Sequence, residues 1–271
     1  MARVHTLITI PFSHYNEKAR WALQRFGVPF RERPYMPVLH FAPVMIATRF
    51  GRHGKSDSAS TRFSTPLLIT EDGERLCDSS EIVRWVCDRY ADADTTLIPN
   101  DDCLAIEREL GETLGPHTRR VAYGLNFGDP RVGAELARRL VGPAQAFVWR
   151  MLQGPLVASI YSALQIDPER VERSIDIVRS EFAELGDRIG AREYLVGDRF
   201  TIADMAFATM AAPAIMPTQA EGYGGDLPEL DELPPRAADF ARELRATTAG
   251  RYALRIFAKE RHVVHATAHG A

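Results

Sequence analysis

The sequence predicts a small α/β domain followed by a larger all-helical one. Three observations predict it: strand-like and helix-like patterns alternate only as far as Tyr90, helical patterns alone follow from Asp101, and 271 residues exceed the usual single-domain size. The expected division is residues 1–91 for the first domain and 101–262 for the second, with a linker at 92–100 and a tail at 263–271. The linker follows from Asp92–Asn100, where Asp, Thr and Pro replace apolar periodicity.

The elements follow in order. Val4–Ile10 is rich in β-branched residues and stops at Pro11, which reads as a buried strand. From Asn16, the spacing of Ala19, Ala22, Leu23 and Phe26 predicts a helix with Gly27 as its terminating glycine. Val28–Tyr35, with the alternating Phe30-Arg31-Glu32-Arg33, predicts a second strand, and Phe41–Phe50 a weaker helix. Residues 51–62 are polar and small and read as an exposed loop. Pro66–Thr70 and Arg75–Cys77 predict a hairpin turning at Asp72-Gly73. Asp78 starts a helix with Ile82, Val83, Val86 and Tyr90 facing inward, and Asp78 with Glu81 resembles a capping box. Gly128-Asp129-Pro130, Asp167-Pro168, Gly197-Asp198 and Leu227-Pro228 punctuate the helical region, where no repeat of 20 to 50 residues occurs.

Composition excludes several function classes. Hydrophobic residues at 45% and charged residues at 25% describe an ordinary globular chain. A net charge of −3 gives no field for phosphate backbones or anionic lipid, so nucleic acid and membrane are not expected partners. Cys77, Cys87 and Cys103 have neither disulfide parity nor zinc-type spacing, which fits a reducing cytoplasm. Cys77 and Cys87 read as small buried residues, and Cys103 as an exposed one without catalytic context. The N-terminal apolar run is too short for a signal peptide, and Ile202–Pro217, the longest apolar stretch, is too short for a membrane span and contains Asp204. His262, His265 and His269 have no carboxylate among them and read as tail residues, so no metal is expected. H-E-x-x-H, G-x-S-x-G and Gly-rich phosphate loops do not occur.

Four segments carry a resemblance. Ile10-Pro-Phe-Ser-His-Tyr-Asn-Glu-Lys-Ala-Arg-Trp-Ala-Leu23 resembles the first loop and helix of the cytosolic glutathione transferase superfamily, and Ser64-Thr65-Pro66-Leu67-Leu68 its cis-proline strand. Cys77-Asp-Ser-Ser-Glu-Ile82 is similar to that family's acid-serine motif, and Gly197-Asp-Arg-Phe-Thr-Ile-Ala-Asp-Met205 to the capped helix start of its second domain. Residues 101–175 match only as generic helices. The resemblance implies a thioredoxin-like N-terminal domain that binds glutathione as co-substrate, an all-α C-terminal domain, a homodimer and a cytoplasmic role in detoxification.

Ser13 is the implied catalytic residue. Read alone, it is an N-cap residue at a helix start; read with the family, its hydroxyl holds the glutathione thiolate where backbone N–H groups and the helix dipole favour negative charge. Lowering a thiol from about 8.5 to about 6.5 requires roughly 2.7 kcal/mol. A hydrogen bond to a charged group supplies about 1.5 to 3 kcal/mol, and the helix terminus roughly 0.3 to 1 more. Redox branches of the family carry cysteines where this chain has Ser13 and Asn16, so mixed-disulfide chemistry is not expected. His14 and Tyr15 are rivals for the thiol hydrogen bond, or else surface residues of the first turn.

Thr65 and Pro66 are implied to pair with the extended tripeptide if their bond is cis, the plain alternative being an ordinary trans proline at a strand start. Asp78 and Ser79 are implied to hold the γ-glutamyl ammonium and carboxylate, although Asp is a good N-cap in any case. Asn16, His53, Lys55 and Arg62 are further candidates, the basic ones for the glycyl carboxylate. The electrophile pocket is expected between the domains, with Tyr123 and Phe127 as lining and Phe207 and Met210 as candidates that also fit the core. Thr201 and Asp204 form a capping box with Phe200 and Met205 as its staple, which is folding chemistry. The expected activity is conjugation of glutathione to a hydrophobic electrophile. Its rivals are a transferase-like module that binds without turnover and a glutathione-dependent peroxidase or reductase.

Overall fold

The computed structural model describes residues 4–48 and 63–265. Strand β1 (His5–Thr9) is central and covered on both faces, with Leu7 on one and Ile8 on the other almost fully buried. It pairs in parallel with β2 (Phe30–Pro34), His5 opposite Phe30, and antiparallel with β3 (Leu67–Ile69), Leu7 opposite Leu68. The hairpin from β3 to β4 (Arg75–Leu76) turns at Gly73, whose φ of +89° suits glycine. The order β2-β1-β3-β4 leaves β2 at an edge, which suits its alternating charges and terminal Pro34.

Helix α1 (His14–Arg25) crosses from β1 to β2 and is buried over nearly its whole circumference, not merely along the apolar stripe that spacing predicts. One side meets α3 (Ser79–Tyr90), and the other meets the helical domain through α9 (Ile202–Ile215). Short α2 (Phe41–Ala47) follows β2. The chain then continues through α4 (Asp101–Glu112), α5 (Leu114–Asn126), α6 (Pro130–Leu140), α7 (Pro143–Leu164), α8 (Pro168–Ile189), α10 (Pro235–Arg245) and α11 (Thr248–Glu260). The Asp-Pro pairs start α6 and α8 as the punctuation predicts: Asp129 and Asp167 accept backbone N–H bonds while each proline takes the first helical turn. Apolar all round, α9 is the buried axis on which α1, α4, α5 and α11 pack.

The capping box of α9 forms as expected, with the Asp204 carboxylate accepting from the Thr201 N–H at 2.8 Å. That carboxylate also accepts from the Leu195 N–H and the Tyr252 hydroxyl, so Asp204 ties the helix start to two other segments. At α3 the box takes another form: Asp78 accepts from the Ser80 and Glu81 N–H groups, but the Glu81 carboxylate receives the N–H of Cys77, one residue outside the cap. Cys103 is buried rather than exposed, because it sits in the first turn of α4 and donates its thiol to the Asn100 carbonyl at 2.8 Å. Residues 263–265 leave the expected tail, since the His265 N–H reaches the Arg25 carbonyl at 2.6 Å and its ring packs on Phe26. No described helix is long and apolar enough to cross a membrane.

Candidate functional site

A cavity of about 220 Å³ opens between the two domains. The loop from β1 to α1 forms its floor with Phe12 and Ser13, and Ser64 and Thr65 lead into β3 beside it. The helical domain supplies Tyr123 and Phe127 at the end of α5, with Ile160 of α7 and Met216 after α9. Phe12, Tyr123 and Phe127 form an aromatic cluster with ring centroids 4.7 to 6.3 Å apart. Such an apolar pocket with few polar groups, set at a domain junction, is the usual form of a small-molecule site.

Ser13 occupies the N-cap position of α1 with extended backbone angles, yet its hydroxyl makes no capping bond. Of the two readings of this residue, side-chain capping is thereby removed, and a half-buried hydroxyl lines the cavity at a positive helix end. His14 and Tyr15 are not surface residues. His14 is 2% exposed, its Nε2 has no hydrogen-bond partner, and burial followed by the charges of Arg119 and Lys18 holds its imidazole well below the ordinary pKa. Tyr15 donates its hydroxyl to the Gly111 carbonyl at 2.9 Å, and burial raises its pKa. Tyr15 fits there because Gly115 has no side chain: a Cβ at that position would stand 2.5 Å from the phenol oxygen.

The Thr65–Pro66 bond is cis, which answers the alternative left open by the sequence. Asn16, fully buried on α1, donates from Nδ2 to the Thr65 hydroxyl at 3.2 Å and fixes this corner to the helix; its Oδ1 is left without a partner. Asp78 uses a single oxygen, Oδ1, for both of its capping bonds, at 2.8 and 3.3 Å. Ser79 is buried, and its hydroxyl makes no hydrogen bond among the described residues. Pro66, Asp78 and Ser79 do not line the cavity itself, whereas Ser13, Thr65, Tyr15, Tyr123 and Phe127 do. Phe207 and Met210 belong to the core, both fully buried on α9 and away from the cavity. His53, Lys55 and Arg62 lie outside the described residues.

Two regions of the sequence match family models. Residues 12–89 match the glutathione S-transferase N-terminal domain, and residues 168–243 the glutathione S-transferase C-terminal domain. The chain belongs to the glutathione S-transferase superfamily. Its thioredoxin-like N-terminal domain and helical C-terminal domain are the superfamily's fold. Among solved structures, the glutathione S-transferase of Ceriporiopsis subvermispora in complex with glutathione superposes with a TM-score of 0.59 at 17% identity, over 97% of this chain and 99% of that one. Glutathione transferase GSTFuA3 from Phanerochaete chrysosporium gives 0.54 at 14% identity, over 91% and 98%. Ure2p5 from the same fungus, cocrystallized with 1-(S-glutathionyl)-2,4-dinitrobenzene, gives 0.53 at 17% identity, over 96% of each chain. No curated protein sequence matches the chain.

Within this superfamily fold, sequence reasoning missed five polar residues of the cavity: His40, Arg119, Asn126, Ser159 and Tyr223. His40 precedes α2, and burial lowers its imidazole pKa to about 4. Arg119, Tyr123 and Asn126 recur at helical spacing on α5, so one face of that helix supplies them together. That spacing was the available signal; which face turns toward the other domain is tertiary information.

Proposed function

We propose that the protein is a glutathione transferase in which the Ser13 hydroxyl stabilises the glutathione thiolate, and the sulfur attacks an apolar electrophile held against Tyr123 and Phe127. The observation that carries this reading is the uncapped Ser13 hydroxyl, in the wall of the interdomain cavity at the N-terminus of α1. In the same reading the tripeptide backbone pairs with Thr65 beside the cis bond. The α-carboxylate of its γ-glutamyl group meets the N-terminus of α3 and the free Ser79 hydroxyl, and the ammonium meets the oxygen of Asp78 that capping leaves unused. The cytoplasmic, homodimeric and detoxifying roles expected from the family belong to this proposal as well.

The chemistry needs no nucleophile from the protein. The thiol proton leaves to solvent, Ser13 donates its hydroxyl hydrogen to the sulfur anion, and the new C–S bond forms as the leaving group departs with its electron pair. Proximity and thiolate stabilisation supply the rate. Ser13→Ala is expected to raise the pKa of the bound thiol by about 1 to 2, from a lost charged hydrogen bond of about 1.5 to 3 kcal/mol. With the wild-type thiol half ionised at about pH 6.5, kcat/KM for 1-chloro-2,4-dinitrobenzene at that pH then falls roughly 5- to 50-fold. The pH profile of conjugation by folded wild type and variant checks this; superimposable profiles would remove Ser13 from the mechanism.

A further inference from the structure

The cavity wall is mostly apolar and aromatic, and among the described residues no aspartate or glutamate lines it. Arg119 does. It is half-buried on α5 and makes no ion pair or hydrogen bond among the described residues, whereas the buried Arg20, Arg25 and Arg261 each hold a carboxylate. Even its neighbour Arg120 donates to the Ser174 hydroxyl at 3.1 Å. Desolvating a guanidinium without a counter-ion is costly, and a ligand that brings the missing negative charge recovers that cost.

One helical turn along the same face stands Tyr123, whose hydroxyl also has no hydrogen-bond partner among the described residues. Burial raises the Tyr123 pKa while the charge of Arg119 opposes the rise, so the phenol stays a neutral donor beside a cation. A guanidinium presents paired N–H groups that match the two oxygens of a carboxylate, and the phenol adds a third donor.

We propose that Arg119 and Tyr123 form a carboxylate site that makes the electrophile cavity selective for apolar electrophiles bearing an acid group. The term electrophile rests on the transferase reading above; the carboxylate site itself does not. Glutathione also carries carboxylates, but Asp78 and Ser79, where its glutamyl end is assigned, lie off the cavity that Arg119 lines.

The probes are 4-chloro-3-nitrobenzoate and its methyl ester, which differ at the acid group. Equilibrium dialysis gives Kd for each with wild type, Arg119→Gln, Arg119→Lys and Tyr123→Phe. Wild type is expected to bind the acid at least about tenfold more tightly than the ester, from the usual strength of hydrogen bonds to charged groups. Arg119→Gln abolishes that preference without altering the ester Kd, Arg119→Lys keeps part of it, and Tyr123→Phe reduces it about fivefold. Equal binding of acid and ester by wild type overturns the proposal, as does a preference that survives Arg119→Gln. Weaker glutathione binding in Arg119→Gln with an intact acid preference also overturns it, because the cation would then serve the tripeptide. Chloride release after glutathione is added reads the other question: the C–S bond forms at the ring carbon, the C–Cl bond breaks and chloride leaves with the pair. No chloride from either probe ends the transferase reading while the Kd ratio still judges the carboxylate site.

Discussion

Tyr15 reaches the cavity wall with a hydroxyl already engaged by Gly111, and that single bond decides its role. A phenol donating to a backbone carbonyl has no proton left for a thiolate, and burial makes ionisation harder still. Tyr15→Phe is therefore expected to leave the thiol pKa and the conjugation rate within about threefold of wild type while costing about 1 kcal/mol of stability from the lost hydrogen bond. Urea unfolding alongside the pH profile checks both; a shift of the thiol pKa comparable to that of Ser13→Ala would assign the donor to Tyr15 instead. At this scale the sequence was readable wherever the logic is local. Asp78 and Thr201 sit at helix starts because their side chains cap the free N–H groups there, and Ser13 holds the same position on α1 without a capping bond. Val38, with φ of +71° at the cavity rim, has no local signal, because a β-branched residue enters that region only under tertiary constraint.

Charged residues of α1 would be placed in solvent by any periodicity argument, yet Lys18 is 2% exposed. It lies between α3 and α4, donating to the Ser80 hydroxyl at 3.0 Å and to the Glu107 carboxylate, which Ser80 also contacts. The three groups knot both domains together, and the reason is spatial: each partner comes from a different helix. Burial alone would raise the Glu107 pKa, but the charge and hydrogen bond of Lys18 outweigh it and leave the carboxyl below its ordinary value. A pKa depressed by folding contributes stability that is complete above the unfolded value, about 4.3, and is lost as pH falls through the folded one. Wild type is thus expected to weaken in acid below about pH 4.3, and Glu107→Gln to lack that part of the acid limb. Lys18→Met leaves a buried carboxylate uncompensated and is expected to cost about 3 to 5 kcal/mol at pH 7. Urea midpoints at pH 7 and in acid measure both; an unchanged midpoint for Lys18→Met would mean that the pair adds nothing to the contact of the two domains.

The sequence divides the molecule at a polar linker, but packing joins what the linker separates. Trp21 of α1 is fully buried between Phe200 and Phe257, with ring centroids 5.4 and 5.3 Å away, and both phenylalanines belong to the helical domain. Glu17, fully buried on the same helix, is held by Arg20 and by Arg261 beyond the end of α11, and it also accepts the N–H of Gly224. Domain class and element order were therefore legible from periodicity and turn residues, whereas the dependence of one domain on the other was not, since it resides in contacts between residues far apart in the chain, from 89 residues for Lys18 and Glu107 to 244 for Glu17 and Arg261. A fragment of residues 1–91 would expose Trp21 and strand Glu17 without Arg261. Exposing a tryptophan that is normally packed costs several kcal/mol, on the scale of about 3 to 5 for its deletion from a core, against a total stability of roughly 5 to 15. The fragment is expected to show collapsed amide proton dispersion and no cooperative melt, and the full chain to unfold in one transition seen alike by fluorescence and far-ultraviolet circular dichroism. A dispersed spectrum and a sharp melt from residues 1–91 would show that the sheet domain carries its own core, and that the Trp21 and Glu17 contacts serve only to orient the helical domain over the cavity.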